Sequence, residues 1–412
     1  MALKVGELFA SFDLDASGMT GTIRTIETQL EGIGADMIRA GSTLSSMVTD
    51  PLKGIGKSIL SAGMDFTSQM SRVEAISGAS AAEMEKLNAE ALKMGSTTQF
   101  TATEAGQALE YMAMAGWKTS AMINGLEPIM NLAAASGENL ADVSDIVTDA
   151  MTAFGLEAKK ENIARFSDVL AQAASNSNTN VGLMGETFKY VAPVAGALGY
   201  NIEDAAIAIG LMANAGIKGS QSGTALRALL TRLSKPTKEV KTAMKELGLS
   251  MTTSTGEMKP LRQLMTEMRG KFSGLTEQEK ALYAATLAGQ EGMSGLLAIV
   301  SASDEDFNKL AASIDNCEGA TDRMAATVLA NAKGDWTLFQ SAVEGAYVAL
   351  FTLNEQAIRK TIQSMTGLVD KFNALDGPMK QVILKTGILA AAIGPVLMYG
   401  GKALMLAGKI AP

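Results

Sequence analysis

The chain carries one helical stretch twice. "GSTTQFTATEAGQALEYMAMAGW" runs from Gly95 to Trp117, and "SNSNTNVGLMGETFKYVAPVAGALGY", from Ser175 to Tyr200, repeats its pattern about eighty residues later. In the first unit a Thr-rich turn leads into a helix that stops at Gly116-Trp117, and a second helix runs to "LAAASG", Leu132 to Gly137. In the second unit an Asn-rich turn leads into a helix carrying Pro193, a stop follows at Gly199-Tyr200, and the second helix ends in "LMANAG", Leu211 to Gly216. The offset drifts from about 79 to 83 residues, so short insertions separate the copies. A duplicated hairpin buries its apolar face on its neighbour, which predicts a stacked helical array. Two copies fall short of the three or more of a full solenoid. At 412 residues the chain exceeds one ordinary core and divides into two or three units.

The residues that fill these units favour helices packed closely through small side chains. Ala, Gly, Met, Leu and Ile dominate, Met reaches 26 residues, and aromatics are only 5%. Met fills irregular gaps, so such cores specify their packing loosely. The sequence has no histidine. That removes Ser-His-Asp and Cys-His catalysis, histidine metal sites and the usual pH switch near neutrality. The single cysteine, Cys317, has no partner within the chain, which suits a reducing compartment and reads as a buried structural thiol. No cofactor or metal site is expected.

Helix signals recur along the chain. Ser80 with Glu83, Thr101 with Glu104 and Thr276 with Glu279 fit the capping box, in which a hydroxyl accepts from a free N–H and the carboxylate reaches back. Asn139 and Asn201 are N-cap candidates, with Asp142 and Asp204 three residues on. Gly95, Gly116, Gly155 and Gly289 sit where helices are expected to stop. Nearer the N-terminus Ile23, Ile26, Leu30, Ile33, Met37, Ala40, Leu44 and Met47 are spaced 3, 4, 3, 4, 3, 4, 3. That is an a/d seam of a coiled coil or long hairpin arm, and a candidate self-association surface. Gly32, Gly34 and Gly41 weaken it, each by about 1 kcal/mol relative to Ala, and Pro51 is expected to end or kink it. "GLSMTTSTGEMKPL", Gly248 to Leu261, alternates around Ser254-Thr255-Gly256 and reads as a small β-hairpin. The expected fold is therefore all-α: helical hairpins with an internal pseudo-repeat, a long N-terminal helix or coiled-coil arm, and one small β-hairpin near 248–261. Three segments follow: an arm at 1–75, a helical core with the two related hairpins at 76–300, and C-terminal helices at 301–412.

Charge divides the chain. The net charge is −8, but residues 355–412 carry +4 and residues 1–354 carry −12. An acidic bulk disfavours holding nucleic acid by its phosphates, and a basic, apolar end favours a membrane surface. The start, "MALKVGELFASFDLDASG", has no apolar run long enough for a signal peptide. "TGILAAAIGPVLMYGG", Thr386 to Gly401, is strongly apolar, yet sixteen residues broken by Gly394-Pro395 fall short of the roughly 20 of a spanning helix. Its Ile388, Leu389, Ile393, Val396, Leu397 and Met398, with Leu404 and Leu406 beyond, are the membrane-contact candidates. Apolar character is still developing at Pro412, so the sequence reads as part of a longer polypeptide.

Three short motifs fail on chemistry. "GIGKS", Gly54 to Ser58, resembles the end of a phosphate-binding loop, but Pro51 stands where its first glycine belongs. "DLDASG", Asp13 to Gly18, opens like an EF-hand, but the twelfth position is Arg24 rather than a bidentate Glu. "GSQSG", Gly219 to Gly223, has Gln221 where a nucleophile elbow needs Ser. Paired acids such as Glu83 and Glu85, or Asp142 and Asp145, read as solvated helix faces. No catalytic set emerges.

Longer segments carry more information. "VTDPLKGIGKSILSAGMDFTSQMSRVEAISGAS", "LNAEALKMGSTTQFTATEAGQALEYMAMAGW", "NLAAASGENLADVSDIVTDAMTAFGLEA", "SNTNVGLMGETFKYVAPVAGALG" and "LMANAGIKGSQSGTALRALLTRL" follow one another in order. In this the chain resembles the phage tail tape-measure (minor tail) proteins, in the core region near their N-terminus. The match is strong from Thr43 to Leu233 and weaker through "LAGQEGMSGLLAIV" and "GDWTLFQSAVEGAYVAL" to "AAIGPVLMYGGK". The resemblance implies a non-enzymatic ruler in the lumen of the tail, around which tube subunits polymerise. It also implies release on infection to help the genome cross the host membrane. Implied partners are the tail tube (major tail) protein, tail tip or baseplate proteins, tail assembly chaperones, further copies of the chain and the host membrane on ejection, with no specific nucleic-acid binding. The implied location is the virion tail lumen after assembly in the host cytoplasm. The best known members are much longer. A membrane-perforating helical protein and a tail protein bearing a cell-wall hydrolase are the alternative readings.

Overall fold

The computed structural model describes residues 49–374. The arm seam from Ile23 to Met47 and the apolar segment from Ile388 to Leu406 lie outside them. Among the described residues every regular element is helical, as the sequence pattern predicts. Helix α1 spans Thr49–Ser77, α2 Ala81–Thr97, α3 Ala102–Met114, α4 Thr119–Ser136, α5 Leu140–Ala153, α6 Lys160–Ser175, α7 Val181–Ala197 and α8 Ile202–Asn214. Then come α9 (Gly219–Ser234), α10 (Lys238–Leu247), α11 (Leu261–Ser273), α12 (Glu277–Ser301), α13 (Asp304–Asp315), α14 (Ala320–Leu329) and α15 (Ala332–Asn373). Pro51 lies in the first turn of α1, where its missing N–H costs no helical bond.

The caps sit where their chemistry puts them. Thr101 and Thr276 open α3 and α12, each accepting from the N–H of Glu104 or Glu279 and giving its own N–H to that glutamate. Glu83 takes the Ser80 N–H at the start of α2. Asn139 and Asn201 accept from Ala141 and Asp204 at the starts of α5 and α8. Each such cap is worth about 1 kcal/mol. Gly116 and Gly155 follow the C-termini of α3 and α5 with left-handed backbone, as expected of helix stops. Gly95 differs, because it lies inside α2 rather than ending it. A Cβ there would stand 2.4 Å from the Ala102 nitrogen, so this glycine serves close approach of the α2–α3 corner. Gly289, at φ 75° and ψ 172°, is non-helical and breaks α12 into two helices across a kink, as expected of a helix stop.

The expected β-hairpin is corrected. Residues 248–261 form one isolated antiparallel bridge, Thr252 to Met258, and no strand is found among the described residues. Gly248 ends α10 and Pro260 precedes α11, so the ribbon is too short to extend. Its tip is exposed and it has no third strand to share an apolar face.

The helices from α3 onward stack in two layers. In one, α3, α5, α7 and α9 each pack on the next, with α2 before them and α12 after. In the other, α4, α6 and α8 follow in the same order. The front helices begin at Ala102, Leu140, Val181 and Gly219, and the rear helices at Thr119, Lys160 and Ile202. One step of the array is therefore about forty residues, and the eighty-residue offset between the two recognisable copies is two steps. The intervening hairpin, α5–α6, completes three successive pairs. Helix α8 is buried from Ile202 to Ala213 because α6, α7, α9, α11, α12 and α13 surround it. Each fully buried Ile or Leu in such a helix contributes about 1.5–3 kcal/mol of transfer free energy. Phe188 of α7 meets Phe154 and Phe166 edge-on, both at 5.8 Å between ring centroids, which ties the two layers together.

Candidate functional surface

Polar side chains are buried where the later helices close over the array. Asp168, on α6, is only 6% exposed. Its two oxygens accept from the backbone N–H groups of Gly319 and Thr321, each at 2.8 Å. Gly319 is the N-cap of α14 and has no side chain to cap with, so a carboxylate some 150 residues earlier does so. Negative charge at that end also complements the positive end of the helix dipole. Arg269 of α11 is buried likewise: it donates to the carbonyls of Ile299 and Ala302 at the end of α12, pairs with Asp304, and stacks 4.8 Å over Phe307. One side chain thereby joins α11, α12 and α13.

A third clasp lines an open cleft of about 740 Å³. Glu203 and Asp204 occupy the first turn of α8, beside the free N–H groups. Asp204 accepts from the Arg262 backbone N–H at 2.9 Å and from its Nε at 3.0 Å. Arg262 reaches on to Asp315 at 2.8 Å, and Arg165 pairs with Glu203. The bond to Asp315, reinforced by the charge of Asp204, holds the Arg262 guanidinium protonated beyond its ordinary range. Arg165 and Arg262 answer Glu203, Asp204 and Asp315, and Glu267 is answered by Lys259, so what the arrangement does chemically is fasten α6, α8, α11 and α13.

Cys317 is buried beside this region, as its residue type suggested. Burial, with the nearby Asp168 and Glu203 carboxylates, pushes its thiol up to about 11. Only about a thousandth of it is thiolate at pH 8, and the thiolate is the reactive form. Iodoacetamide at pH 8 is expected to leave Cys317 unmodified in the folded chain while labelling it fully in urea. Equal labelling rates, read by mass spectrometry, would show the thiol to be accessible.

The side chains singled out from the sequence as self-association or membrane candidates all lie outside residues 49–374. The clasps, in turn, carry no local signal, since their partners lie 30 to 153 residues apart. Two of the three dismissed motifs are helical, since Gly54 to Ser58 lies in α1 and Gly219 to Gly223 opens α9, and Asp13 to Gly18 lies outside the described residues. Among the described residues no group of three or more Cys, Asp or Glu is placed to hold a metal ion, and no helix is long and apolar enough to cross a membrane.

Stacked hairpins fastened by ion pairs and caps define an all-α array protein. Its family follows from comparison: residues 88–289 match the phage-related minor tail proteins, and over this region the chain belongs to that family. The tape measure protein of Pneumococcus phage Dp-1 is 34% identical over 416 residues, covering 98% of this chain and 36% of that protein. The probable tape measure protein of Escherichia phage P2 is 32% identical over 360 residues, covering 86% of this chain and 43% of that one. The chain thus spans well under half the length of either relative. No solved structure matches it.

Proposed function

We propose that the chain is the array-forming region of a phage tail tape-measure protein, a non-enzymatic ruler in the lumen of the tail tube. The observation that carries this reading is 34% identity, along 98% of the chain, to a protein named for that role. Physical scale then divides the labour. Packed helices lie about 8–10 Å apart, so a forty-residue hairpin advances the stack by roughly 10 Å. Forty residues of continuous helix reach about 60 Å. The array is therefore the compact part of the ruler. Length is assigned to continuous helices such as α15, whose 42 residues reach about 63 Å, and to sequence of the kind that the longer relatives possess.

The wall of the tube is the natural partner of such a chain. Tail tube protein, tail tip or baseplate proteins and assembly chaperones are its proposed contacts, within a virion assembled in the host cytoplasm. An acidic bulk repels DNA, which allows the genome to replace the chain in the lumen. The seam from Ile23 to Met47 is proposed for self-association. The segment from Ile388 to Leu406 is proposed for host-membrane contact on ejection, on its apolar composition. In the full-length protein, removing or duplicating heptads of continuous helix is expected to change tail length by about 10 Å per heptad. Tails of unchanged length in electron micrographs would reject the ruler role.

A further inference from the structure

Helix α15 has two faces of different character. One packs on α2, α3 and α14 through the buried Gly334, Ser341, Gly345 and Val348, and on Gly63 of α1 through the buried Phe351. There the Ser341 hydroxyl donates to the Gln99 carbonyl at 2.9 Å. At 100° per residue those positions lie on one side of the helix, and the opposite side carries a second apolar set. Trp336, Phe339, Val343, Ala346, Leu350, Leu353 and Ala357 are spaced 3, 4, 3, 4, 3, 4. That is the a/d spacing of a coiled coil over three heptads. Here the seam faces outward: Trp336 is 59% exposed, Phe339 56%, Leu350 47% and Leu353 71%. The Trp336 and Phe339 rings lie against each other at 5.4 Å, a preformed aromatic end to the stripe.

We propose that this outward face of α15 is a coiled-coil interface for a second copy of the same chain. The spacing calls for a helix, because only a helix presents knobs and holes at 3.5-residue intervals. The flanks call for an identical one. Beside the seam stand Asp335, Gln340, Ala342, Tyr347, Ala349, Asn354 and Gln356, so six of the seven flanking positions are uncharged. Coiled coils that select a different partner do so with e and g charges, and neutral flanks set no like-charge pairs between copies. Ala342 and Ala349 are small enough for close approach. Area agrees. The four large side chains leave on the order of 500 Å² of apolar surface exposed, at the upper end of what a monomer shows. Pairing two such faces buries on the order of 1,000 Å², where specific interfaces begin. This surface is separate from the N-terminal seam and does not depend on the ruler role.

Disulfide trapping in the full chain tests it without reference to tail length. Ala346 lies near the midpoint of the seam, so Ala346→Cys in a Cys317→Ser background meets its counterpart whether the helices run parallel or antiparallel. Under mild oxidation a covalent pair of chains is expected, and F339D/L353D in the same background should abolish it with helix content unchanged. Both replaced side chains are exposed, so folding is unaffected. Thr352→Cys, on the other side of the helix, should give at least tenfold less. No covalent pair at position 346, a yield matched by position 352, or a yield insensitive to F339D/L353D would each overturn the proposal.

Discussion

Gly223→Val is expected to destabilise the array by about 3 kcal/mol or more, a lower urea midpoint at unchanged slope being the measurement. Gly223 lies in α9 where it crosses α7. A Cβ there would stand 2.7 Å from the Thr187 carbonyl oxygen and 2.7 Å from the Tyr190 Cβ. The first of these is backbone, which cannot rotate aside, and the same crossing is held by the Thr187 hydroxyl donating to the Gly219 carbonyl at 3.0 Å. A branched side chain must therefore push one front-layer helix off the next, and the damage extends to what α9 supports: α12 on its far side and α8 behind it. Gly270 provides the opposite sign. It lies on the exposed side of α11 with nothing within 4 Å of an added Cβ. Gly270→Ala is expected to stabilise by about 0.5–1 kcal/mol, through helix propensity and a less flexible unfolded chain. A Gly223→Val midpoint within about 0.5 kcal/mol of the parent would mean that α7 and α9 do not approach as described.

The contrast shows what the sequence holds openly. Local chemistry is legible: a hydroxyl or amide followed three residues later by an acid marks helix starts at Thr101, Asn201 and Thr276, because the bonds involved span three residues. Glycines with left-handed backbone, such as Gly116 and Gly155, are legible for the same reason. A glycine kept small for a distant neighbour is not. Gly95 looks like a helix stop and is a contact point, since its neighbour across the corner is known only from the fold. The array step was half hidden too. The hairpin α5–α6 keeps an Asn cap, at Asn139, and a left-handed glycine stop, at Gly155, but its entry turn lacks the Thr or Asn run of its neighbours and Leu156 stands where they carry an aromatic. The α15 seam was written in plain 3–4 spacing. Whether such a stripe is core or surface depends on which face the array covers, and here the covered face is the glycine side. For residues 248–261 the alternation is real, but the ribbon holds a single bridge and has no further strand to pair with among the described residues.

The clasps are the least legible feature and yield the other large effect. Asp168→Ala removes the only side chain that accepts from the Gly319 and Thr321 N–H groups, leaving buried donors at the start of α14. A charged acceptor of two short bonds at a helix N-terminus is worth about 3 kcal/mol when lost. The effect should be regional, because α14 is a ten-residue helix that depends on its packing against α4 and α6. Hydrogen exchange across residues 319–329 is accordingly expected to quicken about a hundredfold, while amides of α7 and α8 change little. Cys317, next to the released turn, should then become open to alkylation at a pH where the parent is inert. Asp168→Asn keeps an acceptor but loses the charge, and should fall between the two. Exchange in α14 within threefold of the parent would show that this helix holds its place by apolar packing alone, with the carboxylate a bystander. A hundredfold change would instead make Asp168 the fastening by which the C-terminal helices close an array begun more than two hundred residues earlier.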